Sequence, residues 1–166
     1  MPEKETIERA HRDKRQGKAA TTQAGEFIRE EMHHIREGKH GARSSKQAIA
    51  IGLSKARRAG VDLRPPAQGH AKEKTRKSAQ RAYARGHGAP PHSAPSARRS
   101  RASSNALRRE AHSAASPSAL ARQAHAAAAQ RSSEERSAAA RKAAQTKGPA
   151  GRSAAAQKAA RTRTFV

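Results

Sequence analysis

Ser44–Val61 reads SSKQAIAIGLSKARRAGV, and the fold is read outward from this stretch. Ser44 followed three residues later by Gln47 is a capping-box pattern, in which side chains satisfy backbone N–H groups left open at a helix start. At the other end, Gly60 followed by Val61 is the pattern of a glycine-terminated C-cap. Between them Ile49, Leu53 and Ala56 recur at helical spacing. Gly52 falls on the same side, where a missing side chain lets a neighbouring helix approach, while Ile51 projects away. Lys46, Arg57 and Arg58 lie outside the stripe. They are candidate phosphate contacts if this helix lies in a nucleic-acid groove; the alternative is a solvated face opposite a packing stripe.

Upstream, Ala24, Phe27, Ile28, Met32 and Ile35 fall on one broad arc of a helix over Thr22–Glu37, with Thr22 as its expected N-cap and Gly38 as its stop. The flank carrying Glu26, Glu30 and Glu37 is acidic and is expected to face away from any phosphate backbone. The link from Gly38 to Ser44 is short enough to make the two helices antiparallel neighbours. Residues 20–63 are therefore expected to form a helical hairpin. Its few large apolar side chains work against the conformational entropy of ordering it, so it is expected to dimerise or to tighten on binding. Residues 1–19 form a charged leader with Ile7 as its only large apolar residue, and a mobile segment is expected there.

Downstream, Arg64-Pro65-Pro66 opens a low-complexity region of Ala, Ser, Arg, Pro and Gly, and residues 64–115 are expected to be a disordered linker. Residues 116–148 have the composition of a single Ala-rich helix. Ser116 is placed to cap it, Pro117 suits its first turn, and Gly148-Pro149 would end it. Residues 149–166 are expected to be a basic, disordered tail. Ser137–Lys147 (SAAARKAAQTK) recurs sixteen residues later as Ser153–Arg163 (SAAAQKAARTR). That period is too short and too polar for a stacked solenoid, but it suits cationic units spread along a polyanion.

Charge separates the two parts. Residues 1–62 carry 14 basic and 9 acidic side chains, whereas residues 63–166 carry 22 basic and only 4 acidic ones. A formal net charge of +23 on 166 residues repels itself in a compact state and implies a polyanionic partner. Arginine outnumbers lysine by 24 to 12; its guanidinium forks onto phosphate and enters narrow minor grooves. The candidate contacts in the tail are Arg98, Arg99, Arg101, Arg108, Arg109, Arg122, Arg141, Lys142, Arg152, Lys158, Arg161 and Arg163. Tyr83 is the only tyrosine, so recognition of single strands by stacking on aromatic platforms is not expected and duplex binding is favoured, while DNA and RNA are poorly discriminated.

Other chemistry finds little purchase. With no cysteine there is no disulfide, thiolate nucleophile or cysteine-ligated zinc. No nucleophile, base and orienting group stand at recognisable spacing, and Gly38-Lys39-His40-Gly41 does not match a phosphate-cradling loop. Adjacent His33 and His34 point about 100° apart on a helix, and no two histidines stand four apart, so no metal site is expected. No cofactor is expected either, and the reading is non-enzymatic. A charged start and the absence of a long apolar run support neither export nor membrane spanning.

Arg29–Lys39 (REEMHHIREGK) and Ser45–Gly60 (SKQAIAIGLSKARRAG) resemble a family of short, basic bacterial proteins labelled DNA-binding or plasmid-stabilisation proteins. The likeness covers about residues 20–63 and implies a bacterial origin and a DNA-associated role. It brings no catalytic residues. The tail is similar in composition to the C-terminal domains of linker histones and of bacterial histone-like proteins, though richer in arginine than in lysine.

The expectation is thus a mainly α protein, a helical hairpin with a long cationic tail, that binds duplex DNA without strong sequence preference and compacts it in the nucleoid. A cytoplasmic location goes with it. The alternatives are a plasmid-maintenance adaptor whose hairpin binds a protein partner, and an RNA- or ribosome-associated basic protein. A merely solubilising tail is the bland reading of the same composition.

Overall fold

A computed structural model describes residues 2–90 and 96–163 of the chain, and among them all regular structure is helical. The α-helices are α1 (Lys4–Arg15), α2 (Ala20–Arg36), α3 (Ser45–Arg58), α4 (Glu73–Gly86), α5 (Ala97–Arg108), α6 (Pro117–Ala129) and α7 (Ser133–Arg163), with a 3-10 turn at His112–Ala115. None is long and apolar enough to cross a membrane. The chain divides into two compact units, Met1–Gln123 and Ala124–Val166.

In the first unit α3 starts and stops where its sequence says. The Ser44 hydroxyl accepts from the Gln47 backbone N–H at 3.2 Å, while the Gln47 side chain accepts from the Arg43 N–H at 3.0 Å. The box therefore closes one residue earlier than its usual form. At the far end Gly60 adopts φ 85°, which lets Val61 donate back to Ala56 at 3.2 Å; only glycine takes that conformation without strain. Helix α2 begins at Ala20 with Ala19 as its cap residue, not at Thr22. The reason lies upstream. The chain leaves α1 through a turn in which Lys18 donates to the Asp13 carbonyl at 3.0 Å, and it enters α2 within two residues.

Helices α2 and α3 pack closely. Ala24 and Phe27 share one apolar cluster with Ala56, and Met32 and Ile35 share another with Ala48. Between these clusters, a β-carbon added at Gly52 would lie 2.8 Å from Ile28 Cα and 3.0 Å from its nitrogen. Backbone atoms in the facing helix cannot yield as a side chain would, so Gly52→Ala is expected to cost about 1–3 kcal/mol. Gly25→Ala in α2, where nothing lies within 4 Å, is expected to stabilise by about 0.5–1 kcal/mol. Urea midpoints at unchanged slope measure both.

This pair of helices does not stand alone. Residues 1–19 were expected to be a mobile leader, but residues 4–15 form α1, which buries Thr6, Ala10 and Asp13. Ala10 joins Phe27 in the core, with Ile7 packed at its edge. Small residues do this work, which a search for large apolar side chains overlooks. From the other side the 3-10 turn inserts Ala114 and Ala115 against Met32, Ile35 and Ala48. It is pinned by Ser45 Oγ donating to the Ala114 carbonyl at 2.6 Å and by Arg36 Nε donating to the Ala115 carbonyl at 2.9 Å. Helix α4 lies on α3 so closely that a β-carbon at Gly86 would meet the Arg57 carbonyl oxygen at 1.9 Å. With α1, α4 and the 3-10 turn covering it, the α2–α3 stripe has partners within its own chain.

The region expected to be disordered contains α4, α5, the 3-10 turn and the last part of α7; its residues 91–95 and 164–166 lie outside the described part. Alanine, arginine, lysine and glutamine are strong helix formers, and a helix closes its own backbone hydrogen bonds without needing a core. Serines start these helices. Ser96 accepts from Arg99 N at 3.3 Å, Ser116 from Ala119 N at 3.2 Å, and Ser132 from Glu135 N at 3.1 Å, with Glu135 accepting in return from Ser132 N at 2.9 Å. In the second unit α7 is interrupted at Gly148, φ 65°, and resumes from Pro149 to Arg163, so residues 149–163 are not a disordered tail. The sixteen-residue repeat is structural too. Thr146 Oγ1 donates to the Lys142 carbonyl at 2.9 Å, and Thr162 Oγ1 to the Lys158 carbonyl at 3.0 Å.

Candidate nucleic-acid interface

Helix α5 carries arginines and no acidic side chain. At 100° per residue, Arg98, Arg101, Arg108 and Arg109 fall within an arc of about 100°, while Arg99 stands about 80° beyond its edge. All five are exposed, and α5 buries no residue. Among the described residues no carboxylate pairs with any of them. The C-terminal end of α5 is fastened to the first unit by backbone bonds, Gly41 N to the Leu107 carbonyl at 2.8 Å and Ala42 N to the Ala111 carbonyl at 3.1 Å. Here too a glycine is required, since a β-carbon at Gly41 would sit 1.9 Å from the Glu110 carbonyl oxygen. These arginines are thus anchored at one end rather than strung on a free chain.

Of the three cations expected on α3, two face solvent. Lys46 is exposed, and so is Arg58, whose Nε donates to the Ser54 carbonyl at 3.1 Å. Arg57 is not a phosphate contact. It is buried, with Nε donating to the Leu63 carbonyl at 2.9 Å, and it holds the turn that follows α3. Desolvation lowers its pKa.

Tertiary packing also makes a cationic groove that the linear sequence conceals. Arg58 from α3 and Arg81 and Arg85 from α4 line it together with Ser54 and Ser78. Burial lowers the pKa of Arg58, and the Arg85 charge lowers it further, as expected for cations left without an anion between them. Arg76 and Lys77 of α4, by contrast, share a carboxylate. Glu73 accepts two hydrogen bonds from Arg76, each at 2.8 Å, and lies 3.8 Å from Lys77 Nζ. The sequence signal for the groove was the i, i+4 spacing of Arg81 and Arg85; its third member comes from another helix.

Arg122 is exposed on α6, and Arg141, Lys142, Arg152, Lys158 and Arg161 are exposed along α7. Arg163 ends α7, and its side chain lies outside the described part. Unlike those of α5, the α7 cations are distributed around the helix axis, so no one side collects them. Tyr83 offers no free aromatic platform. Its hydroxyl donates to Asp62 Oδ1 at 2.6 Å and His87 stacks on its ring at 3.9 Å.

Of the acidic flank of α2, expected to face away from a phosphate backbone, Glu37 is exposed, Glu26 takes Arg9 Nε at 2.6 Å, and Glu30 is buried beside Glu31. Lys55 Nζ reaches both buried carboxylates, Glu30 Oε1 at 3.0 Å and Glu31 Oε2 at 2.7 Å. Folding buries Asp13, Glu30 and Glu31 and leaves the α5 arginines outside. No protein-family model, curated protein or solved structure matches the chain, so the functional reading rests on this arrangement of charge.

Proposed function

We propose that this chain is a non-enzymatic, nucleoid-associated protein that binds duplex DNA with little sequence preference and compacts it. The observation that carries this reading is the single-sided array of Arg98, Arg101, Arg108 and Arg109, exposed and, among the described residues, without carboxylate partners. Guanidinium groups on one side of a helix can meet neighbouring phosphates together. The free energy comes from the small cations that those phosphates release, which is indifferent to base sequence. The groove of Arg58, Arg81 and Arg85 offers a second contact for another turn or another duplex, as bridging requires. The likeness of residues 29–39 and 45–60 to short basic bacterial proteins labelled DNA-binding agrees with this reading. In it the α2–α3 hairpin serves as scaffold and not as a groove-reading helix, since Arg57 is committed to the interior.

The test is titration of a labelled duplex with the full chain over a series of potassium chloride concentrations. With about 6–10 phosphate contacts, affinity is expected to fall by about 10³–10⁵ between 50 and 200 mM salt. Excess heparin is expected to dissolve the complex. An affinity indifferent to salt would remove the basis of the proposal, and structured RNA competing better than duplex would transfer it to an RNA partner.

A further inference from the structure

A second cluster lies away from the arginines, where α2 meets the loop before α3. We infer that Glu31, His34 and His40 bind a single divalent transition-metal ion of the zinc class. Glu31 and His34 stand at i, i+3 on α2 and share a face, and His40 returns to that face after the Gly38 turn. One ligand atom from each lies within 4.8 Å of the others.

The hydrogen bonds around the three residues leave their metal-binding atoms bare. His40 Nδ1 stands 3.1 Å from the Gly41 carbonyl oxygen. A carbonyl only accepts, so Nδ1 carries the proton and Nε2 of the neutral ring presents a lone pair. That lone pair faces Glu31 Oε1 at 3.4 Å, an acceptor facing an acceptor. Glu31 is fully buried, and its Oε1 has no hydrogen-bond partner. The Lys55 ammonium pairs with Oε2 at 2.7 Å and leaves Oε1 unserved. His34 is arranged in the same way. Its Nε2 meets Glu3 Oε1 at 2.8 Å, and a carboxylate on one ring nitrogen turns the other, Nδ1, into the donor of a lone pair. A carboxylate or carbonyl behind each ligating histidine is the usual outer support of a metal site.

Charge points the same way. The buried Glu30 and Glu31 share the single cation of Lys55, while the exposed Glu3 and Glu37 share Lys39, at 3.4 and 3.0 Å. The buried pair therefore holds one more negative charge than Lys55 supplies, which favours a cation beside Glu31 Oε1. Two imidazole nitrogens and one carboxylate oxygen suit zinc, cobalt or nickel, whereas calcium and magnesium prefer oxygen ligands throughout. Ligand atoms around tetrahedral zinc stand about 3.3 Å apart, the spacing already present between Glu31 and His40. His34 closes the remainder by a side-chain movement. With three protein ligands the fourth position is open to water or an anion.

The experiment uses the full chain free of nucleic acid, so its outcome is independent of DNA binding. Zinc is titrated against a chromophoric chelator, and cobalt is followed by its visible absorption. One ion per chain is expected, with the intense visible bands of tetrahedral cobalt and a melting temperature raised by zinc. His40→Gln and Glu31→Gln are each expected to lower affinity at least about tenfold, and Glu3→Gln, outside the ligand set, about 10–100-fold. His33→Gln, exposed and adjacent, is expected to leave affinity unchanged. Circular dichroism shows that each variant is folded. If Glu31→Gln fails to fold, His40→Gln and Glu3→Gln decide. Unchanged affinity in His40→Gln, or an equal loss in His33→Gln, would identify surface chelation and overturn the assignment, as would no binding by the wild-type chain.

Discussion

Replacing Arg98, Arg101, Arg108 and Arg109 together by glutamine is expected to lower the slope of log affinity against log salt by about 3.6, at about 0.9 per phosphate contact. At about 0.15 M salt each contact contributes about 0.7 to log affinity, so binding should weaken on the order of a thousandfold. Glutamine keeps the helix propensity of arginine, and α5 has no buried residue to disturb, so the change isolates charge. The comparison that gives the result its meaning is Arg136, Arg141, Lys142 and Lys147 of α7. Removing those takes away the same charge from all round a helix, of which a duplex on one side meets about half, and a slope change of about 1.8 is expected. Equal changes for the two sets would mean that charge counts and its placement does not. No change on the α5 substitutions would exclude that helix from the interface.

Lys55→Met is expected to destabilise the first unit by about 3–5 kcal/mol, because it strands two buried carboxylates without their shared cation. Glu30 and Glu31 are 3% and 0% exposed, and methionine fills the space of the lysine stem without offering a charge. Replacing Glu30, Glu31 and Lys55 together by apolar side chains of similar volume should recover most of the loss, since the penalty is that of unpaired charge and not of lost volume. Urea denaturation of the three proteins, in the presence of a chelator, measures both effects. A loss under about 1 kcal/mol on Lys55→Met would mean that water or another cation reaches the carboxylates.

The same pair sets a pH dependence. Burial raises the pKa of Glu30, but hydrogen bonds from Lys55, the Glu3 backbone and Thr6 outweigh it and leave a net lowering. That contribution to stability is present above the ordinary glutamate pKa and is lost as pH falls through the lowered folded value. For Lys55 burial acts downward, and the bonds and charges of Glu31 and Glu30 outweigh it and raise the pKa. This contribution is present below the ordinary lysine pKa and is lost as pH rises through the raised one. Stability should therefore plateau between the two ranges, and Lys55→Met should remove the alkaline limb.

Much of the architecture was legible because it is local. The Ser44 cap, the Gly60 turn and the Ser116–Pro117 start are each written in a few adjacent residues, and each is where it was expected. The stripe from Ala24 to Ile35 and the small residue at Gly52 declared which faces of α2 and α3 would meet. What was not legible depended on partners distant in sequence. Arg36 bonds to Ala115, 79 residues away, and nothing in composition separates Ala10, Ala114 and Ala115, which are buried, from the exposed alanines of α7. The tail was expected to be disordered because it lacks a core, yet helix formation by Ala, Arg, Lys and Gln does not need one. For the interface, the cations on α5 could be placed on one face by counting. The inward turn of Arg57 and the meeting of Arg58 with Arg81 and Arg85 could not.

The start and stop of α3, the start of α6, a mainly α chain and an excess of positive charge follow from residue type and order alone, because caps and propensity act within one or two turns and net charge is a property of composition. Which charges lie inside was settled only by packing. Glu30, Glu31, Lys55 and Arg57 occupy ordinary polar positions along their helices, and they are buried because other elements cover those faces. Burial belongs to pairs of elements, so the grouping of Glu30, Glu31 and Lys55 in the interior exists only in the folded chain.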